Sequence, residues 1–545
     1  RPAGGGLPAR QFFFDLTPNG TGNCPVIPLG ANAQHGTSSL AARAVSQSNP
    51  NCFSFTEWYP GGYTPQFGAD LTDISNTSGL RGEFGNGTRY DFSLGLGYSK
   101  IDYFLYNTTN PSMGPDTPSS FKPGVYETIE NTAGVEFVTP VEMAGLYSPL
   151  SVAYGAEWRR EIFKTSNYDH DSWRPGRFIS QGANIGANGM QGFGPSQVGQ
   201  WDRKNWAFYV DLEAEMSERL LVGAALRYED FYDSFGDTTN GKVSMRYRLT
   251  DTTRLRATAS TGFRAPSPGQ ANISNLSTGI VDGVPVAQGQ IPPTNPIAQR
   301  FGGTELSPEK SRNFSAGFTT ELGPVDVTID YYNIKMTDRI LNSSLFVITP
   351  AIAQQLQDSG ISGSADLSSF RYYTNDMDTT NKGVEAVVSY SHSWDNGSRT
   401  RFNGSWAYSD QSVDSFTAGL LTEQGRINLT ERIPSQRGNF RATHLMGDLR
   451  VTAQANYYGK YKLAPIAANR ARDYWVSGAT ILSTEIGYTF RERYSFVLGA
   501  DNLLDKMPPR VRDIDFTATT SSPFLTSTAY SPNGRYVYAR FSYDM

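Results

Sequence analysis

Residues 220–229 read Leu220-Leu221-Val222-Gly223-Ala224-Ala225-Leu226-Arg227-Tyr228-Glu229. Taken alternately, one set is Leu220, Val222, Ala224, Leu226 and Tyr228, and the other is Leu221, Gly223, Ala225, Arg227 and Glu229. A period of two is the mark of an extended strand with two unlike sides. Residues 449–458 divide the same way, with Leu449, Val451, Ala453, Ala455 and Tyr457 against Arg450, Thr452, Gln454, Asn456 and Tyr458. The split recurs at 207–216, 242–249, 254–263, 325–332 and 482–490. One side suits hydrocarbon and the other a wet interior.

An antiparallel sandwich also alternates, but three features weigh against it. The alternating segments run to roughly 12–18 residues, beyond the five or six usual in soluble sheets. Their polar sides carry several arginines and carboxylates, and about seventeen such segments follow one another. The connections between them also alternate in length. Short ones fall at Gly85-Asn86-Gly87, Asp251-Thr252, Gly323-Pro324, Asp395-Asn396-Gly397, Gly447-Asp448 and Arg491-Glu492. Long ones cover 106–124, 166–200, 264–305, 344–370, 411–433, 462–474 and 506–533. Short turns on one side and long loops on the other is the pattern of an outer-membrane barrel, with periplasm and exterior so identified. The last strand, 535–545, then ends on the periplasmic side, and the first clear strand, from about residue 73, descends from the exterior.

Composition agrees with this reading. The chain has 545 residues, too many for one ordinary soluble core. Its net charge of −5 offers no electrostatic case for nucleic acid. Mean hydropathy is −0.43, and no apolar run approaches the length of a membrane helix. That excludes helical spans but not barrel strands, which need one apolar side only. The 30 Tyr and 31 Phe fit aromatic girdles at the membrane interfaces, as they would a Tyr-rich soluble β-protein. Cys24 and Cys52 lie in a Gly/Pro/Ser/Asn-rich stretch where His35 is the nearest imidazole, so a disulfide in an oxidising compartment is expected rather than a metal site. The chain opens at Arg1, which is read as the product of processing or cutting.

Four phrases carry a family resemblance. Gly262-Phe263-Arg264-Ala265-Pro266 resembles the GFRAP segment of TonB-dependent receptors, and Leu306-Ser307-Pro308-Glu309-Lys310-Ser311 resembles the L-x-P-E-x-S lead-in to their next hairpin. Lys382-Gly383-Val384-Glu385 opens a strand as the family's G-V-E does. Asp501-Asn502-Leu503-Leu504-Asp505-Lys506, with Pro508, resembles N-L-F-D-K-x-P near the C-terminus. The resemblance implies an all-β fold: a transmembrane antiparallel β-barrel of the 22-stranded type, filled by an N-terminal plug of roughly 150 residues. Its last seventeen strands would be those of this chain, with the plug and about five strands upstream. Residues 1–72 are then expected to be a long extracellular loop region with the disulfide, and 73–545 the barrel. The chain ends Tyr543-Asp544-Met545, a departure from the family's terminal aromatic. The resemblance further implies the outer membrane of a Gram-negative bacterium, contact with its lipid, and TonB as partner through the plug. The function so implied is TonB-energised uptake of a scarce solute: a ferric siderophore, a carbohydrate or a peptide. A passive pore is the second reading and an outer-membrane hydrolase the third.

Candidate sites follow from where residues fall. Gly236-Asp237-Thr238-Thr239-Asn240-Gly241-Lys242 matches most of a P-loop, but Val243 replaces the Ser/Thr that would hold magnesium, and the stretch is read as a tight extracellular hairpin. Tyr168-Asp169-His170-Asp171 gathers an imidazole and two carboxylates, and would be the place for a hydrolase; a solvated loop is the plainer reading. No metal site, cofactor or catalytic residue is expected. Arg227, Arg246, Arg248, Arg254, Arg256 and Arg450, with Asp211, Glu213, Glu215 and Glu485, are expected on the lumen wall, either pairing with a plug or shaping a polar conduit. The loop aromatics Tyr168, Trp173, Phe178, Tyr372 and Tyr373, along with Trp58, Tyr59 and Tyr63, are candidates for ligand contact, with packing of the loops on themselves as the alternative.

Overall fold

The computed structural model describes the chain apart from residues 1–12, 18–19, 25–43, 46, 182, 196, 233, 282–283, 361–366, 465–470, 472, 511–523, 525–527 and 545. Its main sheet is a closed barrel of eighteen strands. The first two hairpins are β1 (Gln66–Glu83) with β2 (Arg89–Tyr106), and β3 (Val125–Val141) with β4 (Leu150–Ser166). Then follow β5 (Gly199–Ser217), β6 (Leu220–Phe231), β7 (Gly236–Arg248) and β8 (Thr253–Arg264). The third quarter holds β9 (Glu309–Leu322), β10 (Val325–Asn342), β11 (Tyr373–Ser393) and β12 (Arg399–Ser415). The barrel ends with β13 (Gln436–Met446), β14 (Leu449–Tyr458), β15 (Ala479–Phe490), β16 (Tyr494–Asp501) and β17 (Tyr536–Tyr543). The eighteenth strand, Ser120–Phe121, is a two-residue pairing against the top of β2. Consecutive long strands are antiparallel throughout. Because β1 and β17 both descend, they share a direction where the barrel closes, and no antiparallel register joins them among the described residues.

Every short connection expected from the sequence is a tight turn. Gly323 (φ 62°) and Gly447 (φ 56°) take the left-handed backbone that glycine adopts freely. Arg491 and Glu492 both have positive φ, at 52° and 61°, the geometry of a type I′ hairpin turn made without glycine. Two boundaries differ from expectation. The first strand begins at Gln66 rather than near 73, because Phe67 to Thr72 already pair with Lys100 to Leu105. The P-loop-like stretch lies inside β7 and pairs with β6, and the hairpin reverses before it, between Phe231 and Gly236. Part of the long connection 506–533 lies outside the described residues.

Residues directly opposite one another share a face, so the register assigns the two sides of the wall. Ala224 stands opposite Leu212 and Val243, on the outer face with Val210, Leu226 and Tyr228. Ala225 stands opposite Asp211 and Lys242, on the inner face with Arg227. Leu449, Val451, Ala453, Ala455 and Tyr457 point outward by the same rule, as do Val537, Ala539, Phe541 and Tyr543. No helix among the described residues is long and apolar enough to cross a membrane. β11, with 21 residues, and β5, with 19, exceed the roughly 9–11 that a bilayer needs, so the upper halves of these strands stand clear of the lipid and support the loops.

Candidate functional site

The long loops cap the barrel as two packed assemblies. The first joins the described parts of 13–65 and 167–198 with 107–124. Its centre is Asn110, fully buried. The Asn110 side-chain amide donates to the carbonyls of Asp171 (2.8 Å) and Arg174 (3.0 Å), and its oxygen accepts from the Ser112 hydroxyl (2.7 Å) and the Gly186 amide (3.1 Å). One side chain thus ties two loops with all its hydrogen-bonding capacity, which a water-filled loop would not need. Beside it the Tyr63 hydroxyl meets Thr109 at 2.6 Å and accepts from Asn188 at 2.6 Å, while burial pushes its phenol above the usual range. Cys24 and Cys52 are bonded, with Cα atoms 5.5 Å apart, as expected. That bond anchors Phe14 and Phe53 against Phe178.

The second assembly joins 289–303, 343–360 and 367–372. Phe370 and Tyr372 are fully buried, packed with Ile291, Ile297, Ile348 and Leu356. The Tyr372 hydroxyl donates to the Phe301 carbonyl at 2.6 Å. A short helix, Pro350–Asp358, is capped by the Thr349 side chain accepting from the Ile352 amide.

These positions sort the candidate aromatics. Phe178 and Tyr372 belong to loop cores, so they hold loops together and face no solute. Tyr168 is half exposed, and Trp173 and Tyr373 are partly buried. Trp58 packs edge-on against Phe53 and Phe55, and Tyr59 lies against Tyr63. The hydrolase candidates are each engaged: Asp169 accepts from the Lys122 amide, Asp171 pairs with Arg174 at 2.5 Å, and His170 meets the Trp173 ring at 4.6 Å.

The six arginines expected on the lumen wall all fall on the inner face by register. Four of the six pair with carboxylates of the wall itself. Arg227 pairs with Glu157 and Glu229, Arg254 with Glu321, and Arg256 with Asp330. Glu485 bridges Arg450 (2.6 Å) and Arg540 (3.4 Å). Arg248 donates to the Glu218 carbonyl. A polar hollow of about 270 Å³ beside Arg450, Gln454 and Tyr538, and another of the same size beside Arg246, Arg248 and Arg254, line this wall. Asp211 and Glu213 face inward as well, opposite Ala153 and Ser151.

One feature escaped the sequence reading: an inward aromatic band at the top of β1–β5. Phe67 stacks on Tyr103 (5.3 Å), Tyr103 meets Tyr126 (5.6 Å), Tyr126 meets Phe163 (5.6 Å), and Phe163 stacks on Trp201 (6.0 Å). The Tyr126 hydroxyl and the Trp173 indole N–H are buried without a hydrogen-bond partner among the described residues. Alternation alone assigns such residues to the lipid side; their inward placement needed the cross-strand register. Tyr103 and Tyr126 pack in turn against Met190 and Phe193 of the loop above, and Phe163 is buried, so the band seats the first loop assembly on the barrel above the paired charges.

Residues 28–503 match the family described as TonB dependent receptor-like, beta-barrel. The chain belongs to that family. No curated protein matches the sequence. Among solved structures the barrel is similar to the siderophore receptor PirA from Acinetobacter baumannii, at 14% identity and a TM-score of 0.57, covering 87% of this chain and 62% of that one. It is also similar to a mutant of the ferric enterobactin receptor PfeA from Pseudomonas aeruginosa, solved with enterobactin, at 16% identity and a TM-score of 0.59, with 87% and 62% covered. FpvA of P. aeruginosa, bound to pyoverdines, matches at 13% identity and a TM-score of 0.54, with 86% and 56% covered. The chain thus spans less than two thirds of the length of these receptors. The chain is a β-barrel of the TonB-dependent receptor family, a fold of the Gram-negative outer membrane.

Proposed function

We propose that this barrel imports a scarce solute with energy delivered through TonB, and that a ferric siderophore is the first substrate class to test, ahead of carbohydrate and peptide. The observation that carries the reading is the arrangement of the loops: two packed assemblies, the first seated on an inward aromatic band, above a charge-paired wall. Rigid loops on a rigid scaffold are the usual carriers of binding. Among the loop candidates, the partly exposed Tyr168, Trp173 and Tyr373 would contact the solute, and Phe178 and Tyr372 would shape their loops. The structural relatives named above are siderophore receptors, which sets the order of testing. The test is uptake of radiolabelled ferric siderophores by a receptor-deficient Gram-negative host expressing the full gene product, with TonB present and absent. Uptake that needs both the protein and TonB supports the reading. Uptake indifferent to TonB turns it into a passive pore.

A further inference from the structure

Register places four cations on the outer, lipid-side face of neighbouring strands in their exterior halves: Lys310 and Arg312 on β9, Lys335 on β10 and Lys382 on β11. All four are exposed. Arg312 and Lys335 are directly opposite one another across the β9–β10 ladder. Like charges so placed repel and lower the stability of the pair unless an anion lies between them. Among the described residues only Lys382 has a carboxylate partner, Asp410 at 3.6 Å. One register step toward the periplasm stand Phe314 and Asn333, and one step further Ala316 and Tyr331, where the apolar belt on the same face begins.

An outer-face groove of about 550 Å³ ends at Arg312. Its walls are Val210, Leu212, Leu226 and Val243, and the small Ala224 and Ala259 lie between them as its floor. The groove is apolar along its length and cationic at one end. A hydrocarbon chain fits the first part and a phosphate the second, since a guanidinium fork and an ammonium together satisfy several phosphate oxygens. We propose that β5–β10 carry a binding site for a phosphate-bearing, acylated lipid of the outer leaflet, with an acyl chain along Val210–Val243 and the phosphate between Arg312 and Lys335. The site rests on the outer-membrane placement of the barrel but not on the identity of the imported solute.

The test uses the protein in nonionic detergent micelles, with no solute or TonB, titrated separately with phosphatidic acid, phosphatidylcholine and inorganic phosphate, and bound lipid read by native mass spectrometry. Phosphatidic acid should bind at least tenfold more tightly than phosphatidylcholine, and inorganic phosphate should not compete at equal concentration. The Arg312→Gln/Lys335→Gln variant should lose that preference, and Ala259→Leu, which fills the groove, should weaken phosphatidic acid while leaving the two cations in place. Heat-modifiable gel migration establishes that each variant is folded. Equal binding of both lipids, or an unchanged preference in the double variant, overturns the proposal. Competition by inorganic phosphate reduces it to an anion site and also overturns it. Neither result bears on TonB-dependent uptake, whose failure in turn leaves lipid binding untouched.

Discussion

Ala224 and Ala225 are adjacent, equal in size and equal in chemistry, yet replacing each by arginine should have unequal consequences. Ala224 lies four residues into β6 from Leu220, so at about 3.3 Å per residue and a tilt near 40° it sits roughly 10 Å above the short-turn end. The apolar band of such barrels is about 25 Å tall, which puts Ala224 close to its middle. Its cross-strand neighbours are Leu212 and Val243, so an arginine there has no counter-charge within the wall and must be solvated by lipid. The expected loss is about 2–4 kcal/mol, at least a thirty-fold shift in the folding equilibrium. Ala225 faces inward between Asp211 on one neighbouring strand and Lys242 on the other, with Arg227 two residues along the same face. An arginine there meets a carboxylate as well as two cations, but all keep access to water, which screens them, so the loss should be about 1 kcal/mol or less. Denaturant-dependent refolding into phosphatidylcholine vesicles, read by tryptophan fluorescence and by heat-modifiable migration, measures both. Equal losses, or a larger one at Ala225, would refute the assignment of the two faces. Because every strand is tied to its neighbours by the same register, that would displace the lumen wall along with it.

Three further outcomes follow from the loop assemblies. Cys24→Ser with Cys52→Ser should lower the stability of the extracellular unit by about 3–4 kcal/mol in the chain-entropy picture, seen as faster protease cleavage before residue 66 with the barrel still heat-modifiable; unchanged cleavage would mean that the aromatic packing alone holds the segment. Deleting residues 166–200 removes Phe178 and the carbonyl partners of Asn110, so binding of the imported solute should fall by at least tenfold while the barrel inserts, and substitution of Asp251-Thr252 should leave binding intact. The reverse pattern in a paired titration would place the site elsewhere. Burial pushes the Tyr461 phenol up to about 12 from an ordinary 10.0, so its neutral form favours the folded loop; that stability is complete below pH 10 and is lost as pH rises toward 12. Near-ultraviolet absorbance of phenolate should show a late-titrating tyrosine that Tyr461→Phe removes, and its persistence in that variant would contradict the assignment.

Alternation made the strands legible because a membrane imposes the same demand at every outward position. At Leu449–Tyr458 each odd residue is apolar and each even one polar, and the structure keeps that division without exception. Turns were legible where glycine or asparagine supplied an unusual backbone, as at Gly323 and Gly447. The rule fails above the lipid. There both faces meet water or loops, so Phe67, Tyr103 and Phe163 turn inward while Lys310, Arg312 and Lys335 turn outward, against the apolar-out pattern. The candidate site lies in that zone, which is why it was the least readable part of the chain. The loops obey a third rule, that of small soluble cores: Phe178 and Tyr372 looked like ligand-facing aromatics because their neighbours in space come from residues 14 and 53, or 301 and 346, distant in sequence.

The wall charges show why the same residue types can serve two ends. An arginine facing a lumen is tolerable because water reaches it, and pairing it across strands with Glu157, Asp330 or Glu485 keeps its side chain against the wall. Such exposed pairs add little stability, about 0–1 kcal/mol each. Their consequence is geometric. A side chain bound to its neighbour does not project into the passage, yet in high dielectric the pair breaks at small cost when a charged ligand or a protein surface offers better partners. A wall of weak internal pairs therefore holds its charges in reserve, available to whatever fills the lumen and compensated when nothing does.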